Sequence, residues 1–202
     1  VTVVATEQDV TPNSVLTVTI NNSAWGSVNP GSGSFLVGAP VLVTAAPSNY
    51  FRFTQWTGSY TTTNNPLLIV LDTNVALHAI FTEIVTASFA TPYWWLAAFG
   101  YTNDFENAEN IIGANGIPLW QSYIAGLNPT DPTSQLRLSI EGATVLRWNS
   151  VTGRVYSLWQ STNLSESFTL VPGASNLPAP AQSFTNPVNT PEAFYRLGVR
   201  KP

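Results

Sequence analysis

The sequence predicts a mainly β protein, with two small β domains joined by a short helical linker. Three observations carry that expectation. Short apolar runs with period-two alternation recur between Gly, Pro and Asn turn signals. Helical spacing is confined to one middle segment. Only 9% of the 202 residues are charged, against roughly 25% in an ordinary soluble domain, while 44% are hydrophobic and 12% aromatic. Such a chain can bury a core in each domain and is not a disordered one.

At the N-terminus (residues 1–13), Val1-Thr-Val-Val-Ala-Thr6 is β-branched and suited to a strand. It has two uses: an edge strand of the chain's own sheet, or a strand donated to a neighbouring subunit through Val1, Val3 and Val4. The first domain covers about residues 14–84. Leu16 to Ile20 alternates, then Asn21-Asn22-Ser23 turns the chain. Trp25 to Val28 leads into Asn29-Pro-Gly-Ser-Gly-Ser34, a loop by composition. Strands follow at Val41–Ala45, Tyr50–Trp56, Leu67–Leu71 and Val75–Phe81. His78 falls opposite the core-facing Val75, Leu77, Ala79 and Phe81, on the surface side.

The anchors of this domain come in an order seen elsewhere. They are Gly26-Ser-Val-Asn-Pro30, Val41-Leu-Val-Thr-Ala-Ala-Pro47, Tyr50-Phe-Arg-Phe53 with Trp56-Thr-Gly58, Asn65-Pro66 and Val75-Ala-Leu-His-Ala-Ile-Phe81. In this the run from Leu16 to Phe81 resembles the divergent internalin-type B-repeat of secreted and surface proteins of bacteria. The resemblance implies a non-catalytic stalk or spacer. The residues agree: Arg52 is the only charge between Asp9 and Asp72, so no acid–base pair exists there.

The middle segment, about residues 85–135, reads as two short helices. Thr91 is placed to N-cap the first, Pro92 suits its first position and Gly100 its stop, which makes Trp94, Trp95 and Phe99 packing anchors. The second runs from about Ile117 to Ala125, with Leu119, Trp120, Tyr123 and Ile124 as its apolar stripe and Gly126 behind it. Trp120-Gln-Ser-Tyr-Ile-Ala-Gly-Leu-Asn-Pro-Thr-Asp131 resembles the helix and loop of a calcium-loop linker of secreted bacterial proteins. The ion loop itself is degenerate: its acidic positions fall on Ile111, Gly113 and Asn115, its bidentate Glu on Ser122, and only Gly116 matches. Calcium, the one cofactor the resemblance implies, lacks its carboxylates, and no cofactor is expected. Asp104, Glu106 and Glu109 are the metal candidates, as a replacement calcium site or a hydrolase carboxylate pair. The simpler expectation is a solvated helix start.

The last domain, about residues 136–202, offers strands at Leu136–Ile140, Thr144–Trp148, Arg154–Trp159, Phe168–Val171, Gln182–Phe184 and Ala193–Val199. Leu146-Arg-Trp-Asn-Ser-Val-Thr-Gly-Arg-Val-Tyr156, Ser161-Thr-Asn-Leu164 and Phe194-Tyr-Arg-Leu-Gly-Val199 resemble the fibronectin type III-like sandwich that follows such linkers. Arg147, Arg154 and Arg196 sit beside aromatic residues and are expected to stack on Trp148, Tyr156 or Tyr195.

Composition narrows function. A net charge of −4 with a single lysine, Lys201, argues against nucleic acid, no apolar run is long enough for a membrane span, and zero cysteines exclude thiol chemistry. One histidine and scattered carboxylates leave few nucleophile–base pairs, so no enzyme is expected. The absence of methionine is expected of a chain that has lost a leader or of an excised piece; a cleaved leader is the simpler account and, with the low charge, leads to the expectation of a secreted, extracellular or cell-surface protein. The expected role is structural: a subunit or segment of an adhesin or extracellular fibre, assembling head-to-tail by strand addition, with itself or other surface proteins as partner. A carbohydrate-binding accessory module is the rival. Trp25, Trp94, Trp95 and Trp159 are its contact candidates, with a polysaccharide as partner.

Overall fold

A computed structural model describes residues 12–142, 144–186 and 193–202. Val1, Val3 and Val4, the candidate donated strand, lie outside the described residues. The chain is mainly β and divides into two compact units, one ending at Val85 and taking in Pro92–Trp94, the other formed by Thr86–Thr91 and the chain from Trp95 onward.

Among the described residues the first unit contains seven strands: β1 (Asn13–Ile20), β2 (Gly26–Asn29), β3 (Gly33–Leu36), β4 (Pro40–Pro47), β5 (Phe51–Gly58), β6 (Leu67–Val70) and β7 (Val75–Glu83). One sheet runs β3-β1-β7-β5, the other β2-β4-β6. Residues 33 and 34, expected in a loop, belong to β3: Gly33–Leu36 pairs antiparallel with Leu16–Asn13 of β1. Composition misleads there because a partner strand can hold a Gly/Ser stretch extended by main-chain hydrogen bonds alone. β1 and β7 run parallel, with Leu16 opposite Val75 and Ile20 opposite Ala79. Alternation sends Leu16, Val41, Val43, Ala45, Ile69, Leu77, Ala79 and Phe81 into one core around Trp56, which is fully buried. Gly26 allows the approach of β2 to this core, since a Cβ there would lie 2.5 Å from the Phe81 ring and 2.9 Å from the Ala46 carbonyl oxygen.

Two asparagines extend the sheets with their side chains. The Asn65 amide accepts from Ala45 N at 2.8 Å and donates to Ala45 O at 2.7 Å, standing in for a strand residue just ahead of β6. Asn21 does the same to Phe81 beyond β1, accepting at 3.0 Å and donating at 2.8 Å.

In the second unit come α1 (Tyr93–Ala98, which begins in the first), α2 (Phe105–Ala108) and α3 (Leu119–Ala125). α3 starts two residues later than expected: Pro118 is its N-cap, with an extended ψ of 148°. Gly126, at φ 71°, supplies the left-handed stop, its N–H bonding back to the last turn. Among the described residues seven strands follow: β8 (Leu138–Glu141), β9 (Val145–Trp148), β10 (Val155–Ser161), β11 (Thr169–Leu170), β12 (Leu177–Pro178), β13 (Ser183–Thr185) and β14 (Phe194–Arg200). They form a β13-β9-β8 sheet and a second in which β10 carries β14 along one edge and β11 and β12 on the other. Leu146, Trp148, Tyr156, Leu158, Val171 and Ala174 are buried together as the core of this sandwich-like arrangement. The Tyr156 hydroxyl accepts from Val151 N at 2.8 Å, tying the β9–β10 connection to that core.

Candidate functional site

The four tryptophans proposed as ligand contacts have separate surroundings. Trp25 is partly buried and stacks on Phe51 at 5.2 Å with ring planes 19° apart. Trp94 is exposed, and its indole donates to the Glu83 carboxylate at 2.8 Å. Trp95 packs against Phe99 at 4.8 Å and Tyr123 at 5.3 Å. Trp159, on β10, lies beneath the Arg196 guanidinium, 5.2 Å from the ring centroid. His78 is partly buried in mid-strand, with Nδ1 2.7 Å from the Thr19 hydroxyl.

The acidic trio is sent to three different partners. Asp104 precedes α2 in a left-handed conformation, and its carboxylate accepts from the Asn107 amide at 3.0 and 2.9 Å. Glu106 accepts from Ala87 N at 3.0 Å. Glu109 overturns the expectation of a solvated helix start, because its side chain is completely buried. Its Oε2 accepts from the hydroxyls of Thr86 at 2.5 Å and Thr91 at 2.9 Å. Thr91 therefore serves Glu109, where capping of α1 was expected, and its own N–H donates to the Thr86 hydroxyl oxygen at 2.9 Å. The carboxyl fastens the 86–91 segment to α2. Among the described residues no group of three or more His, Asp or Glu side chains is arranged to hold a metal.

The segment read from sequence as a degenerate ion loop closes through its own side chains. Asn115 and Ser122, at two positions where an ion would be ligated, are buried and bonded to each other, amide Nδ2 to hydroxyl at 3.0 Å. The loop is braced by Gly113 N on Ile117 O, Ala114 N on Pro129 O and Trp120 N on Glu109 O. A neutral amide and hydroxyl satisfied by one another, beside an isoleucine and a glycine, do not fit calcium, which needs several anionic oxygens.

The arginines are placed differently from the expectation. Arg147 pairs with Glu141, not with a ring. Arg154 reaches back to the end of α3, its Nη2 donating to Tyr123 O at 2.6 Å and its Nε to Ile124 O, over the Tyr123 ring. Cations at a helix C-terminus meet the negative end of its dipole. Arg196 stacks between Trp159 and Phe168, not on Tyr195. Sequence proximity misled because side chains on neighbouring residues of a strand point to opposite faces, so rings on the next strand are the nearer ones. Two grooves of about 540 and 570 Å³ occur in this unit. The first carries Arg137 and Arg147 with neutral polar side chains, the second no ionisable residue, and neither holds a carboxylate or a histidine.

Residues 16–89 match the family model of the divergent InlB B-repeat domain. That stretch contains the buried Trp56, the Asn65 clasp and the Gly26 approach. Comparison with curated proteins and with solved structures returned no match. The B-repeat stretch makes this chain similar to bacterial surface-associated modules, and no helix among the described residues is long and apolar enough to cross a membrane.

Proposed function

We propose that this chain is a non-catalytic structural segment of a secreted or cell-surface bacterial protein, a subunit or piece of an adhesin or extracellular fibre that contacts further copies through its strands. One observation carries the reading: three anchor residues of the B-repeat stretch, Trp56, Asn65 and Gly26, are engaged in scaffolding. Trp56 is buried and donates its indole N–H to Asn64 O at 3.0 Å, Asn65 clasps Ala45, and Gly26 lies under Phe81. None of them faces a cleft with a second reactive group.

The outer face of β4 and β6 supports the contact role. Leu42 (55% exposed) stands opposite Leu68 (64%), and Pro40 opposite Val70 (47%), an apolar strip on a domain with almost no charge to repel another copy. Among the described residues β6 is an edge strand, without the lysines that usually guard edges. The last domain, with two sheets about the Trp148–Tyr156 core, is in keeping with a fibronectin type III-like spacer.

The test is electron microscopy of the purified full chain beside a variant lacking residues 1–11, which leaves β1 intact. Extended head-to-tail particles that vanish on deletion are expected. Identical assemblies from both proteins would remove strand donation, and discrete monomers from both would remove the fibre reading.

A further inference from the structure

Charge in this chain is segregated. Residues 1–135 hold eight acidic side chains and one basic one (Arg52), net −7, while residues 136–202 hold three acidic and six basic, net +3, which together give the overall −4. Most of those six cations have acceptors: Arg137 on Gln135, Arg147 on Glu141, Arg154 on the end of α3, Arg200 on Asn176 and Lys201 on the Tyr123 hydroxyl. Arg196 is the exception. Among the described residues its exposed guanidinium meets no hydrogen-bond acceptor and no carboxylate, only the rings of Trp159 (5.2 Å) and Phe168 (5.5 Å).

A shallow cleft of about 150 Å³ opens on the outer face of β10 and β14, lined by Val155, Ser157, Trp159, Gly198, Val199 and Arg200; Arg196 stands outside this lining, over its Trp159. The register explains the hollow. Arg196, Gly198 and Arg200 share one face of β14, opposite Trp159, Ser157 and Val155 of β10, so the bare glycine lies between two arginines. Trp159 leans against that glycine, where a Cβ would come within 2.5 Å of its ring. Ser157 Oγ accepts from Asn176 N at 3.0 Å, which leaves its hydroxyl hydrogen to donate outward. The lining thus offers hydrogen-bond donors and apolar surface, with no acid.

We propose that this cleft binds a carboxylate-bearing polysaccharide, one uronate ring at a time. The carboxylate would take charge-assisted hydrogen bonds from Arg196, which the two rings hold in place, and the sugar's C–H surface would rest against Val155 and the part of the Trp159 ring that the guanidinium leaves open. The cleft lies on the face of the sheet, not along its edge, so it offers no main-chain ladder to an acidic peptide. Two arginines are also few for a nucleic acid, whose affinity comes from many phosphate contacts. A single small subsite binds weakly, and a polymer engaging several copies gains by avidity. The proposal does not depend on the fibre reading.

The experiment measures retention of the full chain on immobilised polygalacturonate and alginate, on methyl-esterified polygalacturonate, and on polyglutamate. Wild type should be retained by the two uronate polymers and pass the other two. Arg196→Gln should weaken retention about tenfold or more, the usual effect of losing a charge-assisted bond. Arg196→Gln/Arg200→Gln should abolish it, and Arg52→Gln should leave it unchanged. Unaltered circular dichroism and particle size of the Arg196→Gln chain separate loss of the site from loss of fold or of assembly. No retention of wild type on either uronate polymer, equal retention on the methyl ester, or unweakened retention of Arg196→Gln would each overturn the proposal. Stronger retention on polyglutamate would assign the cleft to an acidic peptide instead. Retention without extended particles would remove only the fibre reading.

Discussion

Replacing Asn65 tests whether the B-repeat stretch is held by side chains that imitate a strand. Its amide makes both bonds to Ala45, at 2.8 and 2.7 Å, and Ala45 is 2% exposed. Asn65→Ala strands one N–H and one C=O beside the core. Each unpaired buried group costs about 1–3 kcal/mol, and partial entry of water brings the expected total to about 2–4 kcal/mol. Asn65→Asp is the sharper perturbation, because it keeps the acceptor for Ala45 N but sets a second oxygen against Ala45 O. The ionised form is disfavoured in the fold, so the introduced carboxyl has a raised folded pKa. Stability of this variant should therefore be lowest near neutral pH and recover as pH falls towards the ordinary carboxylate range. Asn110→Ala, which loses one exposed bond to Glu106 O, is the control and should cost about 0.5 kcal/mol or less. Urea unfolding gives the totals, and amide exchange at Ala45 gives the local effect. Unchanged Ala45 protection and an unchanged midpoint in Asn65→Ala would refute the clasp.

Three further outcomes follow from the same geometry. Glu109→Leu should destabilise the second unit by about 2–5 kcal/mol, since it leaves the Thr86 and Thr91 hydroxyls without their buried acceptor, whereas Glu109→Gln keeps an acceptor and should lose less, both read by calorimetry. Gly26→Ala forces a Cβ to 2.5 Å from Phe81 and should cost about 1–3 kcal/mol, with shifted Phe81 ring resonances. The Thr133 hydroxyl, with Thr133 N, holds the Asp131 carboxyl below its ordinary value of 3.8. Its stabilisation is thus complete above that value and lost as pH falls through the lower folded pKa, and Thr133→Ala should move the NMR titration of Asp131 upward.

How far the fold is legible depends on where each signal lies along the chain. β4, β6 and β7 follow from short apolar runs between turn residues; alternation declares the buried face only in β7 (Val75, Leu77), since in β4 and β6 the exposed Leu42, Leu68 and Val70 are as apolar as the buried Val41, Val43, Leu67 and Ile69. β3 does not, because Gly33 and Ser34 have no strand propensity and owe their conformation to Leu16 and Val15 across the ladder. The parallel β1–β7 pair is equally invisible, joining residues some sixty positions apart. At the site level, Trp159 and Arg196 could be singled out as chemistry-bearing, but their pairing and the addition of Phe168 depend on cross-strand register. Burial of Glu109 was hidden for a similar reason: its two hydroxyl donors come from Thr86 and Thr91, outside α2. In the segment read as an ion loop, by contrast, the residue types are legible in the sequence, Ile111, Gly113, Asn115 and Ser122 carrying no carboxylate.

The central claim, a non-catalytic building block made to touch copies of itself, is met most directly by sedimentation velocity of the purified full chain over a range of concentrations. A series of species that lengthens with concentration, and collapses to monomer when Leu42 and Leu68 are replaced by lysine or residues 1–11 are removed, is the predicted result. A single 21.8 kDa species at every concentration would contradict it.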